Sequence, residues 1–125
     1  SKADFVRTIY IYTYHHIGRM SEMPLDTYRH FVVVDTADRL IVGAGTLLVE
    51  RKFIHQCGAV GHVEDVVVAE RSRGKQLGKL IVDKLVEEAR RAQCYKIILD
   101  CAEKNVQFYE RCGFSKKELQ MVIYL

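Results

Sequence analysis

The hydrophobic pattern changes period twice between His62 and Asp100, and that change constrains the fold more than any other feature. His62-Val63-Glu64-Asp65-Val66-Val67-Val68-Ala69 is rich in β-branched residues and reads as a central strand. Leu77, Leu80, Ile81, Leu85, Ala89 and Ala92 then recur at helical spacing, with Lys79, Asp83, Lys84, Glu87, Glu88, Arg90 and Arg91 between them. That pattern predicts an amphipathic helix lying on a sheet. Residues 95–100 return to a short strand, with Lys-Ile-Ile-Leu at its centre.

Upstream, residues 28–35 and 40–52 read as antiparallel strands joined by a turn at Thr36-Ala37-Asp38-Arg39, and Gly58 and Gly61 bracket a second turn. Downstream, residues 105–112 make a two-turn helix stopped by Gly113, and residues 114–125 read as two further strands. Ile9-Tyr10-Ile11-Tyr12-Thr13-Tyr14 suits a strand or the apolar half of a helix equally, so residues 1–29 stay open. The order of elements predicts an α/β (α+β) layer fold with a mixed central β-sheet flanked by helices.

A chain of 125 residues, 49% hydrophobic, is enough for one core, so residues 1–125 are expected to form a single domain. Cys57, Cys94, Cys101 and Cys112 form no CxxC pair, which speaks against metal and redox motifs. No apolar run approaches the ~20 residues of a bilayer span, and Ser1-Lys2-Ala3-Asp4 lacks the pattern of a secretory signal. An intracellular location, cytoplasmic by default, is the expectation, with an organelle matrix left open. Residues 70–96 hold eight Lys or Arg against four acids within a net charge of +3, so the remainder sums to −1. A local excess of that size suits a phosphorylated small molecule better than duplex DNA, which draws on a broad basic face.

The helix expected to begin near Gly74 has no Ser, Thr, Asp or Asn at its start, so its first N–H groups lack a side-chain cap. A diphosphate would accept those bonds: Gly74 and Gly78 allow close backbone approach, and Arg71, Arg73, Lys75 and Lys79 add charge. A glycine-capped helix with solvated cations would show the same pattern. Neither GxxxxGK[ST] nor GxGxxG occurs, which removes support for nucleotide hydrolysis and dinucleotide binding. Within the central strand, Glu64 and Asp65 would point to opposite faces unless a β-bulge re-aims them.

Arg73-Gly74-Lys75-Gln76-Leu77-Gly78 resembles the [Q/R]-x-x-G-x-[G/A] coenzyme A motif of the GNAT acetyltransferase superfamily, with Gln76 where that motif usually has glycine. Three stretches resemble, more narrowly, the branch that acetylates glucosamine 6-phosphate. They are Gly61-His62-Val63-Glu64-Asp65-Val66-Val67-Val68, residues 94–101, and Asn105-Val106-Gln107-Phe108-Tyr109-Glu110-Arg111-Cys112-Gly113-Phe114. The likeness runs from about Leu47 to Phe114, and an arginine that the branch tends to carry near its C-terminus is absent from Val122-Ile123-Tyr124-Leu125.

The resemblance implies the GNAT fold, acetyl-CoA as co-substrate without a metal, D-glucosamine 6-phosphate as acceptor in UDP-N-acetylglucosamine biosynthesis, and a homodimer exchanging C-terminal strands. It implies that Val66, Val67 and Val68 pair through backbone with the pantetheine arm, and that Arg73, Gly74, Lys75, Gln76, Leu77, Gly78 and Lys79 hold phosphates. Asn105, Tyr109, Glu110 and Arg111 complete the expected donor contacts. Glu64, Asp65 and Asp100 are candidates to orient or deprotonate the amine, although Asp100 would equally cap a turn. The Tyr109 phenol is a candidate to protonate the departing thiolate, or is structural, while Phe108 and Phe114 read as core. Lys52, Phe53, Ile54, His55, Tyr95 and Lys96 match the acceptor positions, together with Glu64 and Asp65. Cys94, Cys101 and Cys112 read as small core residues. Two rivals remain: a GNAT enzyme for another small amine or a protein amine, and a non-catalytic acetyl-CoA sensor.

Overall fold

The computed structural model describes residues 9–10, 27–52, 58–74 and 76–125. Five strands form one sheet in the order β1-β2-β3-β4-β5: β1 Ile9–Tyr10, β2 Tyr28–Val34, β3 Ile41–Arg51, β4 Ala59–Val68 and β5 Cys94–Ile98. Neighbours from β1 to β4 are antiparallel, and β5 joins β4 in parallel across the helix α1, Leu77–Arg91. A short helix α2, Val106–Arg111, follows, and 3-10 turns cover Glu70–Ser72 and Glu103–Asn105. The mixed sheet and the strand-helix-strand unit agree with the sequence pattern.

The β2–β3 hairpin closes where the polar run predicted it. Asp35 N donates to Leu40 O at 2.9 Å, the Asp35 carboxylate accepts from Ala37 N, and Arg39 takes a left-handed φ of 61°. Gly61, expected in the next turn, lies instead inside β4, where a Cβ would meet Leu47 Cδ1 at 3.2 Å and Ala89 Cβ at 3.3 Å. Close approach of α1, rather than a turn, accounts for that glycine.

Leu77, Ile81, Leu85 and Ala89 of α1 pack on Phe31, Val33, Leu47, Ala59 and Val63 of the sheet. Leu80, expected on this face, is exposed, and Val82 is fully buried in its place. At 100° per residue Leu80 sits roughly 120° from the centre of the buried arc, whereas Val82 falls at its margin. Glu88 falls within the arc and is buried, where Arg29 reaches its Oε2 from β2 at 3.3 Å. Gly45 lets α1 lie this close, since an added Cβ would stand 2.6 Å from Ile81 Cγ2 and 3.1 Å from Leu85 Cδ1. Gly45→Ala is therefore expected to destabilise the fold by roughly 1–3 kcal/mol, read as a lower urea midpoint at unchanged slope.

Residues 114–125 form no strand, contrary to the expectation of two. Their backbone has no partner among the described strands, and a strand exists only through the ladder it shares. Leu119, Met121, Ile123 and Tyr124 are consequently 85–90% exposed.

Candidate active site

Pairing between β4 and β5 ends at His62↔Ile98, yet β4 runs on to Val68. β5 ends there, so from Val63 onward one edge of β4 has no described neighbour. The opposite edge remains paired with β3, but its register slips: Thr46 faces Glu64 while Ala44 faces Val67. The extra residue on β4 is a β-bulge, with Asp65 at φ 53° and both acids exposed. The bulge thus resolves the conflict that strict alternation created for Glu64 and Asp65.

Beyond β4 the chain turns into α1. Gly74 at φ 82°, with nothing near its Cβ position, and Gln76 at φ 59° occupy left-handed conformations, so the helix begins at Leu77 rather than near Gly74. Among the described residues no side chain caps it. A left-handed residue at position 76 accounts for the glycine usual there, and Gln76 adopts the same backbone at a cost of about 1 kcal/mol.

This turn borders an open groove of about 710 Å³. Val68, Arg73, Gly74, Gln76, Leu77, Gly78, Lys79 and Arg111, all expected at the donor, line it, joined by Ser72, Phe108 and Cys112. Arg73 and Arg111 make no ion pair among the described residues, whereas Lys79 Nζ lies 2.8 Å from Asp83, which raises its pKa. Arg71 turns away from the groove and meets Asp38 of the hairpin at 2.8 Å, holding that carboxyl below its usual range. Lys75 lies outside the described residues.

Phe108, expected in the core, is only half-buried and stands against Gly78, where a Cβ would come within 3.0 Å of its ring. The glycine near the start of α1 was the available signal, though spacing alone does not say which aromatic fills the space. Tyr109 points elsewhere: its ring lies edge-on to Phe108 at 4.9 Å and to Phe114 at 6.0 Å, outside the groove lining. Burial, and secondarily Cys101 and Cys112, push its phenol above the usual value. Asn105 and Glu110 are exposed and also outside the lining. Cys101 is exposed rather than core, Cys94 packs against the core, and half-buried Cys112 faces the groove.

Asp100 follows β5 and accepts a hydrogen bond from Gln120 Nε2 at 2.9 Å. At the other end of the sheet Lys52 Nζ reaches Glu50 at 2.8 Å, and His62 Nε2 meets the same carboxylate oxygen at 3.0 Å. Lys96 lies 5.8 Å from the Tyr95 ring centroid. Since Lys96 is opposite Val60, four residues before Glu64, roughly 13 Å of strand separates this group from the acids. One copy therefore does not bring Lys52, Tyr95 and Lys96 together with Glu64 and Asp65. Phe53, Ile54 and His55 lie outside the described residues. Among the described residues no cluster of His, Cys, Asp or Glu suits a metal, and no helix is long and apolar enough to cross a membrane.

Residues 4–114 match the acetyltransferase (GNAT) family. Glucosamine 6-phosphate N-acetyltransferase 1 of Dictyostelium discoideum is 46% identical over all 125 residues, which cover 77% of that protein. The protein of the same name from Oryza sativa subsp. japonica is 50% identical over 109 residues, 86% of this chain and 66% of its own length. The crystal structure of glucosamine-6-phosphate N-acetyltransferase from Arabidopsis thaliana superposes with a TM-score of 0.77 at 44% identity, covering 79% of this chain and 67% of that one. A β4 that runs on beyond its parallel partner, a bulge within it and a helix start without a described side-chain cap thus occur in a chain that belongs to the acetyltransferase (GNAT) family.

Proposed function

We propose that this chain, as one N-acetyltransferase domain, transfers acetyl from acetyl-CoA to the 2-amino group of D-glucosamine 6-phosphate, giving N-acetyl-D-glucosamine 6-phosphate and coenzyme A. The observation that carries this reading is the groove at the Arg73–Lys79 turn, continuous in sequence with a β4 edge open from Val63 and bulged at Glu64-Asp65. The names of the relatives support the choice of acceptor.

Each part has a chemical task. The N–H groups of the turn and of the first helical residues are donors for a diphosphate, with Arg73, Lys79 and Arg111 adding charge. The open edge at Val66, Val67 and Val68 can pair with the pantetheine arm as another strand would. The bulge frees backbone N–H from the β3 ladder, and a donor there stabilises the thioester oxygen as it gains charge. In a ternary complex Glu64, Asp65 or Asp100 takes a proton from the substrate ammonium directly or through water, the freed amine attacks the thioester carbon, and the tetrahedral intermediate loses its second nitrogen proton to solvent as the C–S bond breaks. Tyr109 then protonates the thiolate.

The separation of Lys52, Tyr95 and Lys96 from the acids supports a homodimer in which a second copy brings the sugar-phosphate contacts to this site. Mixing the protein with acetyl-CoA and following free thiol tests the function. Release is expected only when glucosamine 6-phosphate is added; release without it, or with an unrelated amine alone, overturns the reading. Arg73→Ala is expected to raise the acetyl-CoA KM roughly tenfold with kcat little changed, because its contact precedes the chemistry. A loss confined to kcat would contradict that assignment.

A further inference from the structure

Strand register aligns His30 of β2, Thr46 of β3 and Glu64 of β4 in one row across the sheet. Directly opposed residues share a face of the sheet. Thr46 is next to Gly45, whose missing side chain would meet Ile81 of α1, so by alternation the row lies on the face away from that helix. His30 Nδ1 stands 2.8 Å from Thr46 Oγ1, and the imidazole stacks on Tyr28 with ring centroids 6.3 Å apart at 11°. Thr46 is buried at 8% exposure, while Glu64 at the end of the row is exposed. Glu64 makes no ion pair or side-chain hydrogen bond among the described residues, so its carboxylate is unclaimed.

The direction of the His30–Thr46 bond follows from the other ring nitrogen. Nε2 of His30 is buried and has no partner among the described residues. A neutral imidazole carries one N–H. Were it on Nε2, a buried donor would be orphaned and the only hydroxyl proton of Thr46 would be spent on Nδ1. With the hydrogen on Nδ1, the histidine donates, the Thr46 oxygen accepts, and only a lone pair is left unmet at Nε2, the smaller penalty.

We infer that His30 and Thr46 are positioning residues for acetyl transfer: the histidine leaves the Thr46 hydroxyl proton free to be donated across the strand pair to the Glu64 carboxylate, a bond this structure does not contain and that forms when the carboxylate turns to meet the amine. This rests on the reading of Glu64 as a group that handles the substrate amine. A carboxylate at the rim of a bulge otherwise rotates freely, and a donor fixed within the sheet restricts it to the orientation the amine meets.

Thr46→Val keeps the β-branched shape and removes the hydroxyl, so the strand is retained. Its kcat with glucosamine 6-phosphate is expected to fall about tenfold with acetyl-CoA KM within about twofold, and its melting temperature to fall by a few degrees because His30 Nδ1–H loses its acceptor, the rate being compared well below that temperature. Thr46→Ser restores most of the rate. His30→Phe, which keeps the stack on Tyr28, lowers kcat in the same direction and serves as the second variant. On a Glu64→Gln background Thr46→Val adds no further loss. Slowed Glu64→Gln beside full turnover in both Thr46→Val and His30→Phe overturns the inference alone. Full turnover in Glu64→Gln overturns the assignment of Glu64 and the inference with it, and losses that simply track unfolding without rescue by serine also overturn the inference.

Discussion

Tyr109→Phe is expected to lower kcat for acetyl transfer by roughly ten- to a hundredfold while acetyl-CoA affinity stays within about twofold. The ring is half-buried, edge-on to Phe108 at 4.9 Å and to Phe114 at 6.0 Å, and phenylalanine preserves both contacts. Only the hydroxyl is lost, and its task arises when the thiolate forms, not when the donor binds. Burial holds the phenol above its ordinary value near 10, so the proton is present throughout the neutral range. The sign for stability follows: folded and unfolded chains both keep this proton below pH 10, and the folded chain holds it longer above. The tyrosine's contribution is therefore constant at neutral pH and is lost as pH rises through the raised value, a loss that Tyr109→Phe removes. Single-turnover thiol release, compared with equilibrium binding of acetyl-CoA, separates the two effects. Wild-type turnover would remove Tyr109 from the chemistry.

A tail carrying Met121→Asp and Ile123→Asp together is expected to turn a dimer into a monomer and to abolish transfer to glucosamine 6-phosphate, with acetyl-CoA binding retained. Leu119, Met121 and Ile123 recur at the period of a strand and are 85–90% exposed, although no described strand pairs with them. Apolar residues in that pattern need a covering surface, and β5 is the last described strand of the sheet, with no described neighbour on its outer side. Two copies that exchange tails would satisfy both needs by one symmetric contact. The groove proposed to hold the donor is lined within one copy, which is why acetyl-CoA binding should survive. Sedimentation velocity and the thiol assay read the two outcomes, and a variant that keeps the parent's mass and turnover would count against the dimer.

Local chemistry decided much of what the sequence revealed. The hairpin at residues 36–39 follows from Asp35 and Asp38, whose carboxylates accept backbone N–H bonds two residues on. The bulge was legible because two adjacent acids cannot both avoid the core in a regular strand. The turn proposed to hold phosphates was legible through Gly74 and Gly78, and the left-handed Gln76 shows what glycine usually does there. Leu80 was misplaced because the apolar list alone does not locate the centre of the buried arc; α1 settles that by how it rests on Gly43 and Gly45.

The sequence by itself determined the strand-helix-strand order at the centre and the mixed sheet, and pointed to the bulge and the glycine-bearing turn before α1, since each depends on residues a few positions apart. Only the tertiary structure decided that Phe108 fills the space at Gly78, that Arg71 serves the hairpin instead of the groove, and that His30, Thr46 and Glu64 share a row. It also decided that Lys52, Tyr95 and Lys96 stand apart from the acids and that the tail finds no strand partner among the described residues. Those outcomes depend on register and packing between segments distant in sequence, which hydrophobic period does not encode, because a strand or an exposed face is completed only by the neighbour that meets it.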